Sequence, residues 1–134
     1  MIAASPPHGC HGMKDLPPEA LKHVAEYFQA LAEPARLRIL NLLRAREHSV
    51  GELAEKCSYS LANVSRHLAN LTKHGFVARE ARGTSVYYRI ADDSVFALCD
   101  LVCGNVGRQM EQKVRESGFF TRPATTAKKK RQTP

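Results

Sequence analysis

Residues 49–71, SVGELAEKCSYSLANVSRHLANL, constrain the fold more than any other stretch of the chain. Ser49, followed three positions later by Glu52, is a capping box: the hydroxyl takes an orphan backbone N–H and the carboxylate reaches back to the cap. Val50, Leu53, Ala54 and Cys57 recur behind it at helical spacing. The run breaks at Ser58-Tyr59-Ser60, where Ser60 caps a second helix with an inner stripe of Val64, Leu68 and Leu71. Ala62, Asn63, Ser65, Arg66 and Asn70 are left on its outer side. Small, amide-bearing and cationic side chains on one helix face suit the DNA major groove, where Asn and Arg read base edges bidentately. The pattern predicts a helix-turn-helix whose second helix is the reader. A plain helical hairpin with a solvated polar face would look the same, so the flanking segments have to discriminate.

They favour the reader. Lys73-His74-Gly75 closes the second helix, with cations for its C-terminal dipole and glycine for a left-handed cap. Residues 76–81 and 85–90 have strand composition and flank the turn Arg82-Gly83-Thr84. A β-hairpin behind a reader helix is a wing, and Arg82 with Thr84 at its tip would reach phosphates or the adjacent minor groove. Upstream, Asp15 before Pro17 and Pro18 marks a helix start, with Leu21, Val24, Ala25, Phe28 and Leu31 as its stripe. Glu33-Pro34 opens the next helix, with Leu37, Ile39, Leu40, Leu42 and Leu43 inside and Arg36, Arg38, Arg44 and Arg46 outside. Asp92 caps a long last helix running to about Ser117. On it Phe96, Cys99, Cys103, Val106 and Met110 fall at intervals of three and four, a coiled-coil seam, beside a second apolar face of Val95, Leu98, Leu101 and Val102. Such a helix needs two partners: the domain on one face and a second copy of the chain on the seam.

Composition sets the surroundings. At 134 residues the chain holds one domain: a flexible arm over 1–14, the folded part over 15–117 and a disordered basic tail over 118–134. No apolar run approaches the roughly 20 residues that span a bilayer, and the N-terminus lacks the pattern of a secretory signal. A cytoplasmic protein with four reduced cysteines is expected. The net charge of +7 is unevenly spread. Five cations and no acids lie beyond Gly118, where Lys128 to Arg131 would attract phosphate or merely aid solubility. Residues 58–90 carry Arg66, Lys73, Arg79, Arg82 and Arg89 against Glu80 alone, the electrostatic footprint of nucleic-acid binding. An enzyme is not indicated, because the chain has no CxxC, no nucleophile–base signature and no glycine-rich phosphate loop.

Three motifs in this order resemble the arsenic-repressor (ArsR/SmtB) family of bacterial winged-helix regulators. They are Leu31-Ala32-Glu33-Pro34-Ala35-Arg36-Leu37-Arg38-Ile39-Leu40, then Ser65-Arg66-His67-Leu68 with Leu71, then Gly83 with Val86-Tyr87-Tyr88-Arg89. The resemblance covers about Leu21 to Met110 and implies a mainly α fold with a small β-hairpin: four helices, the hairpin, then a fifth helix. It also implies a homodimer through the first and last helices, which adds Leu21, Val24 and Phe28 to the seam residues as interface. Such a dimeric repressor would leave double-stranded operator DNA when a metal, metalloid or thiol-reactive signal binds. The DNA contacts would be Ser60, Ala62, Asn63, Ser65 and Arg66, with Arg82 and Thr84 on the wing. Two sensor sites of the family are absent: Ser49-Val50-Gly51 stands where arsenic sensors carry Cys-Val-Cys. Asp92 is kept from the zinc-sensing set, but Ser94, Asn105 and Arg108 occupy its other positions.

The chain's own thiols remain. Cys99 and Cys103 are one helical turn apart, so they could share a soft ion such as arsenite, cadmium or zinc, none of it required for folding. Cys10, between His8 and His11 on the arm, could add a third ligand. Oxidation or sulfane-sulfur uptake at the pair, or simple packing of two small apolar residues, are the alternatives. Cys57 reads as core, and His67 as a packing residue or phosphate contact. The competing function is a winged-helix DNA-binding regulator with no small-molecule input, its cysteines structural, controlled by abundance or by a protein partner.

Overall fold

The structure, a computed structural model, describes residues 12–121; Cys10, His8, His11 and the Lys128 to Arg131 cluster lie outside them. Contacts divide the chain at Asp93. The first unit begins with a single 3-10 turn, Met13–Asp15, followed by α1 (Pro18–Ala30). Proline is accepted in a first helical turn, where its missing N–H would be unpaired anyway. Pro17 therefore holds the cap position, and Asp15 belongs to the 3-10 turn instead of capping α1. The same logic starts α2 (Pro34–Ala45) behind Glu33. Ile39, Leu40 and Leu43 are its buried side. Leu37, expected inside, is 43% exposed: it lies two positions before Ile39, which turns it off that face.

The capping box forms as the sequence predicts. Ser49 Oγ accepts the Glu52 N–H at 3.1 Å and Glu52 Oε1 accepts the Ser49 N–H at 2.9 Å, opening α3 (Val50–Cys57). That backbone donor, ahead of nearby Arg46, holds the Glu52 carboxyl below its ordinary range. Ser58 then adopts a left-handed conformation, φ 59°, and turns the chain into α4 (Leu61–Lys73). The far end of α4 closes as a Schellman motif: Phe76 N–H donates to Leu71 O and Gly75 N–H to Thr72 O, with Gly75 at φ 81°.

The hairpin strands are β2 (Val77–Arg82) and β3 (Ser85–Ile90), in antiparallel register from Val77 opposite Ile90 to Arg82 opposite Ser85. Arg82 is therefore the last ladder residue, and the turn is Gly83-Thr84, with Gly83 at φ 61°. A third strand, β1 (His48–Ser49), pairs with β3 and gives the order β1-β3-β2. Two residues carry no periodicity, so β1 has no sequence signal. The core of this unit is made by Ile39, Leu40, Leu53, Val64, Leu68, Leu71 and Phe76, all at most 2% exposed. Tyr27 of α1 reaches it by packing its ring on that of Phe76, centroids 4.7 Å apart and planes tilted by 54°. Helix–turn–helix plus hairpin makes this unit a winged helix-turn-helix.

The second unit is α5 (Ser94–Thr121), 28 residues and about 42 Å long. It begins one residue later than a cap at Asp92 would start it and continues past Ser117. Val95 and Phe96 are buried, whereas Leu101, Val102, Val106, Met110 and Val114 are 43–70% exposed. No helix among the described residues is long and apolar enough to cross a membrane.

Candidate nucleic-acid interface

α4 is built to show one side. Val64, His67, Leu68 and Leu71 are buried, while Leu61, Ala62, Asn63, Ser65, Arg66 and Ala69 are exposed. Ser60 Oγ is committed to the cap, accepting the Asn63 N–H at 3.1 Å. One turn on, an Arg66 Nη2 donates to Asn63 Oδ1 at 2.7 Å, so the two side chains form a single unit on the exposed face. Pairing of this kind, three positions apart on a helix, restrains both side chains on the same face. Asn70, placed outside by spacing alone, is half-buried, and its Oδ1 is shielded without a hydrogen-bond partner among the described residues.

Behind the exposed face stands a polar anchor. His67 is 4% exposed and its Nδ1 accepts from Arg36 Nε at 3.2 Å. Arg36 also donates to the C-terminal carbonyls of α1, Ala30 at 3.3 Å and Gln29 at 3.5 Å, and pairs with Glu33 at 3.2 Å. One guanidinium thus ties α1, α2 and the middle of α4. Burial pushes the His67 imidazole below its ordinary pKa, with Arg66 and Arg36 acting in the same direction and Glu33, 4.0 Å away, opposing them. His67 is accordingly a packing residue that accepts a hydrogen bond. Arg38 does a similar job for α3, its Nη2 donating to the Lys56 carbonyl at 2.9 Å while its guanidinium lies over the Tyr59 ring.

The wing differs from expectation at Arg82. Its guanidinium is held in a fork by Glu47, at 2.6 and 2.8 Å, pairs with Glu80 at 3.0 Å, and lies over Tyr87 at 4.7 Å. Both carboxyls are held below their ordinary range by hydrogen bonds from Arg82. In the unbound chain the residue expected to reach phosphate bridges the hairpin and the segment before α3, its fork matched by two carboxylates. Gly83 and Thr84 make the exposed tip, and Arg79 and Arg89 are exposed cations on the strands.

The remaining expected site residues are spread out. Cys57 is buried in the core, and burial pushes its thiol pKa up. Cys99 is half-buried and Cys103 exposed, both thiols. Among the described residues no three His, Cys, Asp or Glu side chains group to hold a metal ion. Leu21 (41%) and Phe28 (48%) of α1 are exposed and Val24 is half-buried, as suits an interface. Phe96 is the exception on the seam: it is 9% exposed without any second copy, so the exposed seam begins further along α5. Spacing missed Arg36, which a motif-position arginine beside Glu33 could have flagged, and Leu61.

Known proteins share this arrangement. Residues 31–80 match the family described as a helix-turn-helix domain. The HTH-type transcriptional regulator KmtR of Mycobacterium tuberculosis is 37% identical over 84 residues, which are 63% of this chain and 65% of that one. The uncharacterized HTH-type transcriptional regulator Rv0081 of the same organism is 36% identical over 67% of this chain and 80% of its own. Its crystal structure superposes with a TM-score of 0.67, at 35% identity over 74% of this chain and 99% of that one. The solution structure of Mb0332 from Mycobacterium bovis gives 0.64, at 34% identity over 76% and 94%. It is described as a homodimeric winged helix-turn-helix DNA-binding domain of a possible ArsR-family transcriptional regulator.

Proposed function

Since the chain belongs to the ArsR/SmtB family of winged helix-turn-helix transcriptional regulators, we propose that it acts as a homodimeric repressor that leaves its operator when a thiol-reactive signal meets the cysteines of α5. The observation that carries the DNA-binding part is the exposed Asn63–Arg66 pair on a helix whose reverse side is anchored by His67 and Arg36. Such a pair presents guanidinium N–H donors and an amide on one helix face, the groups that read guanine and adenine edges. Ala62 and Ser65 flank it closely enough for the backbone to approach the groove, and Thr84 stands at the wing tip. Dimerisation supplies the second reader, as in the homodimeric domain from M. bovis.

The signal reading rests on the spacing and exposure of Cys99 and Cys103. One copy offers two sulfurs on one helix face, suited to a soft ion but one short of what trivalent arsenic takes. A partner's copy of the pair, or Cys10, would complete the set. Oxidation by peroxide, which takes two electrons and two protons from the thiol pair and leaves as water, or transfer of a sulfane sulfur from polysulfide to a thiolate, needs no further protein ligand. Either event would introduce charge or a covalent bridge where two apolar seams must pack, changing the packing that spaces the readers. The alternative, cysteines that merely pack in a regulator with no small-molecule input, predicts a different outcome of one experiment. Operator binding by the pure protein is measured against arsenite, cadmium, zinc, peroxide and polysulfide. Release by one of them, lost in Cys99→Ser/Cys103→Ser while DNA affinity is kept, is expected. Release that persists in the double variant, or no release by any of the five, contradicts the thiol reading.

A further inference from the structure

Leu61 is the first residue of α4 and is 59% exposed. The buried stripe of the helix is complete without it, since Val64, Leu68 and Leu71 are fully buried and His67 fills the remaining inward position. Its backbone is not loose: the residue sits between the capping Ser60 and Asn63, whose N–H is held by Ser60 Oγ. Along the helix it precedes the exposed Ser65 by one turn, and it shares the first turn with Ala62 and Asn63. An isobutyl group on a fixed backbone therefore stands in water at the end of the reader helix that enters a groove first.

We infer that Leu61 is a specificity-determining residue that packs on the 5-methyl group of a thymine beside the bases met by Asn63 and Arg66. This rests on the DNA-binding reading above and deepens it by naming a base. The thymine methyl is the apolar feature that a base pair shows in the major groove. Covering it with Leu61 removes apolar surface of both partners from water. Placed against a cytosine amino group or a guanine carbonyl, the same side chain would strip water from a polar edge and return no hydrogen bond. Leu61 thus selects by attraction to one base and by penalty against others. The leucine is exposed in the unbound protein, so truncating it leaves the core intact.

The test uses the full chain and a duplex selected by it from a random pool. Each thymine of a half-site is replaced singly by deoxyuridine, which deletes the methyl group and keeps every hydrogen-bonding atom. One position is expected to lose about fourfold in affinity, the scale of one buried methyl-sized group. Leu61→Ala should bind the thymine and uracil duplexes equally, keep the wild-type melting temperature, and remain sensitive to Arg66→Ala. Indifference of the wild type to every methyl, or a Leu61→Ala protein that keeps the uracil penalty, overturns the assignment while leaving DNA binding standing. A wild-type chain that selects no duplex removes the DNA-binding reading, and this one with it.

Discussion

Arg66 and His67 are neighbours in sequence with opposite fates, one on the exposed face and one at 4% exposure beneath it. Arg66→Ala removes the donor fork without touching the core, and should weaken operator binding by about 1–3 kcal/mol with no loss of thermal stability. A gel-shift titration beside a melting curve checks both halves. His67 titrates in the other way. Its folded pKa lies below the ordinary 6.5, so the folded state resists the proton. The stability it contributes is complete above 6.5 and is lost as pH falls through 6.5 towards the lower folded value. Protonation would set an Nδ1–H against the Arg36 Nε–H and add a cation beside Arg36 and Arg66, with Glu33 the only nearby carboxylate among its described partners. Unfolding midpoints measured from about pH 7.5 to 5.5 should therefore fall more steeply in the wild type than in His67→Gln. Equal slopes would mean that the imidazole is not held in its neutral form.

Among the elements, the two central helices were legible because their signals are local. The capping box, the Ser60 cap and the glycine C-cap each involve residues at most a few positions apart, and all three form. The wing was legible as a hairpin but not in its chemistry. The partner of Arg82 is Glu47, 35 positions away, brought there by β1, a two-residue strand that leaves no pattern in the chain. Long-range pairing of exposed charges is what periodicity cannot report. Leu37, expected inside, and Asn70, expected outside, are errors of local spacing, the first 43% exposed and the second half-buried. Arg82→Ala tests the Arg82–Glu47 bridge at this scale. Faster amide exchange in residues 77–90, with the salt dependence of DNA binding unchanged, is expected, because the guanidinium is already neutralised by carboxylates. A salt slope smaller by about one would instead make Arg82 a phosphate ligand.

Taken as a molecule, the chain is half of a working device. α1 keeps Leu21 and Phe28 in water, and α5 keeps Leu101, Val102, Val106, Met110 and Val114 there. Apolar rows of this kind belong to an interface. The seam spacing was readable, but Phe96 shows the limit of that reading: an interval of three or four says that a residue faces one side, and burial within the chain says which side is already covered. The thiols sit on the same helix, so the proposed signal would act where the spacing of the readers is set. We propose that two chains deliver two copies of α4 to one duplex. Sedimentation of the full chain at low salt, alone and with a duplex selected from a random pool, measures this directly. A dimer alone and two chains per duplex are expected; a monomer that leaves the duplex unbound would contradict the account.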